Sequence, residues 1–315
     1  MRDESQAIVR RSREKLEFPL IIDRLSALAV SREGKALCEK LLPHSRLEEA
    51  EAAQKETEDT LEILFERGRP PLQGLHEIRP FVKRSLMPGA VLSCGDLMRI
   101  GVFLEGIKKL KAFMAEEPGD NAFYALLPML ESLPFLCRDL NRSIIGEDEL
   151  ADDASPELAR LRKKAVRCRE NIRRHLEKLL SSQSEALQEQ LITLRQDRYV
   201  LPVKIGMRSR IPGIVHDTSQ SGQTLFIEPL AVVEENNKLR EIKAEEEREI
   251  RRILEAFTRR VAAESDALFL DIDLAAKADF FTAKASLARS MKGCRPHLNE
   301  KGYIRLRQAR HPHIP

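Results

Sequence analysis

From Asp217 to Pro229 the chain reads DTSQSGQTLFIEP, with His216 just ahead of it. Hydroxyls, an imidazole and a carboxylate crowd one short stretch. They could cradle a nucleotide, perform acyl transfer, or touch a phosphate from a turn. A nucleotide loop needs G-x-x-x-x-G-K-[ST], with the lysine reaching the terminal phosphates. TSQSGQT has one glycine and no lysine, and it leads into a Leu-Phe-Ile run that reads as a strand. A serine nucleophile needs a base and an orienting group within hydrogen-bond reach. Adjacent strand residues point to opposite faces, so His216 and Asp217 cannot make one relay with a serine. The simplest reading is a hairpin loop in which Gly222 takes a positive φ and the hydroxyls bond local backbone. No catalytic residue is expected. Contact with a phosphate through Ser219, Ser221 or Thr224 stays open.

The second chemistry is charge. Between Arg160 and Lys178 stand nine lysines and arginines (Arg160, Arg162, Lys163, Lys164, Arg167, Arg169, Arg173, Arg174 and Lys178) against Glu170 and Glu177. Further on come Arg195, Arg198, Lys204, Arg208 and Arg210, balanced by Asp197 and Asp217. These five, with Ser219, Ser221 and Thr224, are the expected nucleic-acid-binding residues. They suit phosphate neutralisation, which is salt-sensitive and blind to sequence. Tyr199 and Phe226 are the aromatics nearby, too few for base stacking to lead. For the earlier run the alternative is a solvated helix face paired with Glu241, Glu245, Glu246, Glu247 and Glu249.

Metal chemistry finds no support. His44, His76 and His297 are isolated, His311 and His313 flank a proline, and there is no H-E-x-x-H. The five cysteines are scattered without a C-x-x-C pair, as expected of small buried thiols in a reducing cytoplasm.

The elements that must position these residues read as follows. From Leu16 to Phe65 the apolar spacing is helical, with a second run from Leu47 broken by GRPPLQG. Further helices are expected at Cys94–Glu116, capped by Ser93 with Asp96, and near 122–130. Residues 1–150 form a helical domain on this reading. Ser155 and Pro156 then open a long helix whose apolar positions, Leu158 to Leu187, step 3-4-3-4 over about 45 Å. A second long helix is expected from about Leu230 to Leu270, with Glu246 in its apolar seam. Between them lie four short strands: Leu191–Arg195, Tyr199–Ile205, Gly213–Asp217 and Gln223–Glu228. Pro202 argues for a sheet edge or bulge. The segment GYIRLRQ alternates like a strand before the chain stops. The expected fold class is therefore mainly α with a small β insertion. Residues 151–190 run outward as a long helix, 191–229 form a β tip, 230–290 return, and 291–315 start another domain.

The bounds agree. The 315 residues are 42% hydrophobic, 33% charged and free of Trp, with a formal net charge of +3. That much charge on so few aromatics suits long solvated helices. No signal peptide is read in the charged N-terminus, and no run approaches the ~20 apolar residues of a membrane span. A cytoplasmic protein with no membrane partner follows.

RYVLPVK and the stretch from GIVHDTSQSGQTLFIEP through EENNKLREIKAEEEREIRRIL resemble one family closely: MutS-like proteins of the second kind. KLEF, GRPPLQGL, DDASPELARLR and RLRQARHPHIP are similar as well. The resemblance covers essentially the whole chain. It implies a helical core or lever-base domain, long lever arms and a β clamp at their tip. It implies a homodimer that grips branched or duplex DNA, suppresses homologous recombination and, in some members, acts on stalled ribosomes. An ATPase domain using ATP and Mg, and usually a nuclease domain, would follow Pro315. This chain would then bind no cofactor and catalyse nothing itself. The alternative is a dimerising or ribosome-contacting arm without DNA affinity. One departure stands out: Gln196-Asp197 replaces the usual glycine of the first clamp hairpin, which leaves its turn type open.

Overall fold

The computed structural model describes residues 11–114 and 119–312. It is mostly helical, with one small antiparallel sheet. The chain divides into two compact units, one made of Met1–Glu149 with Phe257–Pro315, the other of Leu150–Ala256.

The first unit is built from α1 (Phe18–Leu28), α2 (Arg32–Glu39), α3 (Leu47–Glu66), α4 (Arg79–Ser85), α5 (Cys94–Lys111) and α6 (Pro134–Ser143). The Leu16–Leu42 pattern is two helices because the chain turns at Val30–Ser31, where Ser31 caps α2 by accepting from Gly34 N–H at 2.9 Å. The Ser93–Asp96 capping box forms as expected and opens α5. Helix α5 ends at Lys111; the expected extension to Glu116 runs outside the described residues. Near 122–130 the chain makes a 3-10 helix, Tyr124–Met129, with Pro128 inside it. Proline has no N–H for an α-helical bond, which favours this short form.

The expected helix from Leu230 to Leu270 is two: α8 (Leu230–Ala263) and α9 (Ser265–Ser290). Glu264 N–H still bonds Arg260 C=O, and Leu268 N–H bonds Glu264 C=O. Glu264 itself takes φ −99° and ψ 16°, a break of one residue that apolar spacing reads straight through. Helix α9 packs on α2 and α3, and two buried carboxylates on it tie down loops. Asp279 accepts from Val30 N–H (3.0 Å), Ser31 N–H (2.7 Å) and Ser31 Oγ–H (2.6 Å). A Cβ on Gly34 would lie 2.3 Å from this carboxylate, so the close approach needs glycine. Asp271 accepts from Glu131 N–H (2.8 Å) and Ser132 N–H (3.2 Å). That grip holds a turn in which Ser132 and Leu133 both have positive φ.

Residues 303–307 form no strand. They join no β-ladder among the described residues, and an unpaired strand is not stable. Cys294 is exposed, against the expectation of buried thiols; Cys38, Cys94, Cys137 and Cys168 are buried. Burial pushes the Cys38 and Cys168 thiols up to about 11, keeping them protonated and inert.

The second unit holds α7 (Pro156–Ser182), strands β1 (Thr193–Arg195), β2 (Arg198–Lys204), β3 (Gly213–Thr218) and β4 (Thr224–Pro229), and α8 as far as Ala256. Ser155 caps α7 through Leu158 N–H, with Pro156 in its first turn. The helix stops at Ser182, five residues short of Leu187, which bridges to Val203 of the sheet instead. Leu161, Ala165, Cys168, Ile172 and Leu176 share one core with Val232, Leu239 and Ile242 of α8. Contacts at Ser155–Glu249 and Cys168–Glu235 make the two helices antiparallel. Where Glu246 interrupts the apolar seam, Arg162 Nε–H donates to it at 2.9 Å. The seam is closed there by an ion pair.

The sheet is antiparallel with order β1-β2-β4-β3. Pro202 does not make β2 an edge strand, since β1 and β4 flank it. Its C=O points away from β4 and accepts from Gln188 N–H at 2.9 Å. The nitrogen faces the same side, past the end of β1, so its missing N–H takes nothing from the β2–β4 ladder. Leu201, Val203, Leu225 and Ile227 bury against the helices.

Asp271 carries a prediction. Burial pushes its carboxyl up to about 6, against the two backbone donors. The folded state therefore holds this proton more tightly than the unfolded one. The favourable contribution is full below about pH 4 and is lost as pH rises through about 6. Urea unfolding followed by circular dichroism should show Asp271→Asn losing a fall in stability of about 3 kcal/mol between those limits. A pH profile parallel to that of the parent would refute this.

Candidate nucleic-acid interface

The eight residues singled out for phosphate contact do not form one cluster. Arg195 and Arg198 face each other across the β1–β2 turn. Lys204 stands opposite Thr224 at the other end of β2, beside the Ser219–Gly222 turn. Six residue steps along β2 separate the two ends by about 20 Å. Arg208 and Arg210 lie on the 3-10 segment Ile205–Arg210 that connects β2 to β3.

The β1–β2 turn answers the question of its missing glycine. Gln196 and Asp197 both take positive φ, 50° and 61°, as a two-residue type I′ hairpin requires. Asp tolerates this region, and Asp197 also meets Lys243 at 3.5 Å. At this end Arg195 stacks on Phe226, 4.0 Å from the ring centroid, and pairs with Asp217 at 3.3 Å. Its charge is largely answered within the sheet.

Arg198 differs from the expectation. Its side chain is 15% exposed and donates to both oxygens of Glu228, at 2.8 and 3.1 Å, and to Asn237 Oδ1 at 2.6 Å. Glu228 has no exposed surface. His216 Nε2 lies 2.6 Å from Glu228 Oε2, and Asn236 Nδ2–H donates to Glu228 Oε1 at 2.8 Å. Asn236 further brackets the backbone of Tyr199, accepting from its N–H and donating to its C=O, both at 3.1 Å. His216 reaches this position because it is the extra residue of a bulge between Val215 and Asp217. Gly213 starts the same strand; a Cβ there would lie 2.2 Å from Glu228 O. This network escaped the sequence reading. Glu228 looks like an ordinary strand end, and nothing local marks it as buried.

Thr224 is buried too, and the Ser219 hydroxyl is already engaged, accepting from Thr224 N–H at 3.1 Å and lying 3.3 Å from Ser221 Oγ. The turn itself is as expected: Gly222 N–H bonds Ser219 C=O at 2.8 Å, with Gly222 at φ 70°. His216 is held by Glu228 and the serines by the turn, so no Ser–His relay exists. Ser221, Lys204, Arg208 and Arg210 remain exposed. Lys204 reaches the C=O of Glu185 at 3.1 Å. Arg208 and Arg210 have no side-chain hydrogen bond or ion pair among the described residues.

The glutamates expected to neutralise the α7 cations mostly do not. Glu246 takes Arg162, whereas Glu249 takes Ser155 and Arg252. Glu241, Glu245 and Glu247 make no ion pair among the described residues. Among these residues no three His, Cys, Asp or Glu side chains gather as a metal site, and no helix is long and apolar enough to cross a membrane.

No family model matches the chain. Curated relatives do. It is 40% identical over 303 residues to "Endonuclease MutS2" of Acetivibrio thermocellus and 37% over 301 residues to "Endonuclease MutS2" of Finegoldia magna, in each case over 94% of this chain. The protein of the same name from a Geobacillus species is 40% identical over 307 residues, 95% of this chain. The chain spans 38 to 39% of the length of these relatives.

Glu228→Ala should strand Arg198 and His216 without their acceptor and destabilise the second unit by about 3–5 kcal/mol. The double variant Glu228→Leu/Arg198→Met, which removes the pair together, should lose less. Thermal melts with limited proteolysis between residues 191 and 229 would read this. Equal losses in both variants would show that the pairing is not what matters.

Proposed function

The chain belongs to the MutS2 family over the residues that it spans, and on that premise we propose that its second unit is a nucleic-acid clamp. The clamp holds DNA, duplex or branched, by the phosphate backbone. The observation that carries this reading is the segment Ile205–Arg210, where Arg208 and Arg210 stand exposed with no acidic partner among the described residues. Lys204 and Ser221 extend the surface, and Arg195 adds a cation shared with Asp217. Arg198, Thr224 and Ser219 act from behind, holding the sheet and its turn in shape. Affinity of this kind comes from counterion release and carries no base code.

In the whole protein the helices of the first unit would serve as lever base, and α7 and α8 as the arms that carry the clamp. Such a protein would be a cytoplasmic homodimer that suppresses homologous recombination, with ATPase and nuclease activities outside these 315 residues. The Ser219–Gly222 turn does not fit ATP and Mg, since it lacks a lysine and feeds β4 instead of a helix. Ribosomal RNA offers the same phosphates, so action on stalled ribosomes would use the same surface.

Anisotropy titration of a labelled duplex between about 50 and 200 mM salt tests the reading. Arg208→Gln/Arg210→Gln should flatten the slope of log K against log salt by about 2, near 0.9 per phosphate contact. A chain that ignores duplex DNA at the lowest salt yet sediments with ribosomes would instead be the ribosome-contacting arm.

A further inference from the structure

Positions 164, 167, 171, 174 and 178 of α7 advance in steps of three and four, so they share one edge of the helix. They are Lys164, Arg167, Asn171, Arg174 and Lys178. The four cations are exposed. None forms a side-chain hydrogen bond or ion pair among the described residues. The carboxylates around them are otherwise placed. Glu157, two turns before Lys164, is held by Arg160 and attracts Lys164 only at range. Glu177 takes Arg173 at 2.8 Å, and Glu170, which flanks the row between Arg167 and Arg174, makes no ion pair among the described residues. On α8, Glu245 acts on Arg160 at range, while Glu246 and Glu249 are engaged by Arg162 and Arg252.

An unpartnered row of cations over about 21 Å of straight helix repels itself. It gains most from a partner whose negative charges repeat along a line. A protein partner would want an apolar or aromatic anchor in the row, and a membrane surface would want an apolar face. The edge offers neither: its one uncharged residue is Asn171. We propose that this edge of α7 is a second nucleic-acid contact, a track for the phosphate backbone of a duplex along the arm. It covers well over half of one duplex turn of about 34 Å. The proposal rests on the clamp reading above and extends its footprint from the tip to the arm.

The test compares the whole chain with Lys164→Gln/Arg167→Gln/Arg174→Gln/Lys178→Gln and with the tip variant Arg208→Gln/Arg210→Gln. The probe is a fluorescein-labelled 30-base-pair DNA of mixed sequence, and circular dichroism confirms that α7 is intact. The arm variant should flatten the salt slope by about 3 to 4, more than the tip variant's change of about 2. Restoring Lys at all four positions should restore the slope. A weakened tip variant beside an arm variant with parental slope and affinity overturns the arm track and leaves the clamp standing. A parent chain that does not bind the duplex overturns both. If poly-glutamate binds the parent as tightly as DNA does and loses as much in the arm variant, the edge belongs to an acidic protein and the nucleic-acid assignment fails.

Discussion

A carboxylate with no exposed surface must be fully answered by its neighbours, and the second unit is arranged around one. A carboxylate removed from water would be prohibitively costly alone. The partners of Glu228 come from three separate elements: Arg198 from β2, His216 from the bulge of β3, and Asn236 from α8. Each must stand where it does for the others to be satisfied. The bulge, the close approach at Gly213 and the seating of β2 on α8 through Tyr199 and Asn236 all belong to this one requirement. Leu201, Val203, Leu225 and Ile227 supply the apolar burial on the other side of the sheet, where a slip of one residue would expose all four.

The first unit uses the same device in a different place. Asp279 and Asp271 sit on α9 and accept the backbone donors of loops far away in sequence. In one case they order a helix start at Ser31, in the other a turn strained by two positive φ values. Both units thus fasten connecting segments with buried carboxylates, while the long helices contribute area. The surface follows from this division of labour. Cations near the buried acids are drawn inward, as Arg198 is, and those on the connecting segment and the outer edge of α7 are left to solvent.

Much of the architecture was legible from local rules. Ser93 with Asp96, and Ser155 with Pro156, placed two helix starts because caps depend on a few adjacent residues. The 3-4-3-4 spacing placed the core of α7 down to Leu176, and the four strands lie close to where alternation put them. The misses have physical reasons. The break at Glu264 is one residue long and leaves the apolar spacing on either side in step, so periodicity did not see it. Leu187 is apolar and in step with the heptad, but the sheet claims it. Pro202 is harmless in a central strand because β1 stops short of it, a fact about a neighbour.

For the candidate site the division is sharper. Residue types and their order by themselves determined that the Asp217–Pro229 stretch is a hairpin. They also determined that cations gather in α7 and around the sheet, since charge and turn chemistry are local properties. Which cations are available was decided only by the tertiary structure. Arg198 and Arg208 are alike in sequence, ten residues apart on one basic stretch. One lies against a buried glutamate thirty residues further on, and the other meets no acid among the described residues. A charge is neutralised by what is near it in space, and that proximity exists only once the chain has folded.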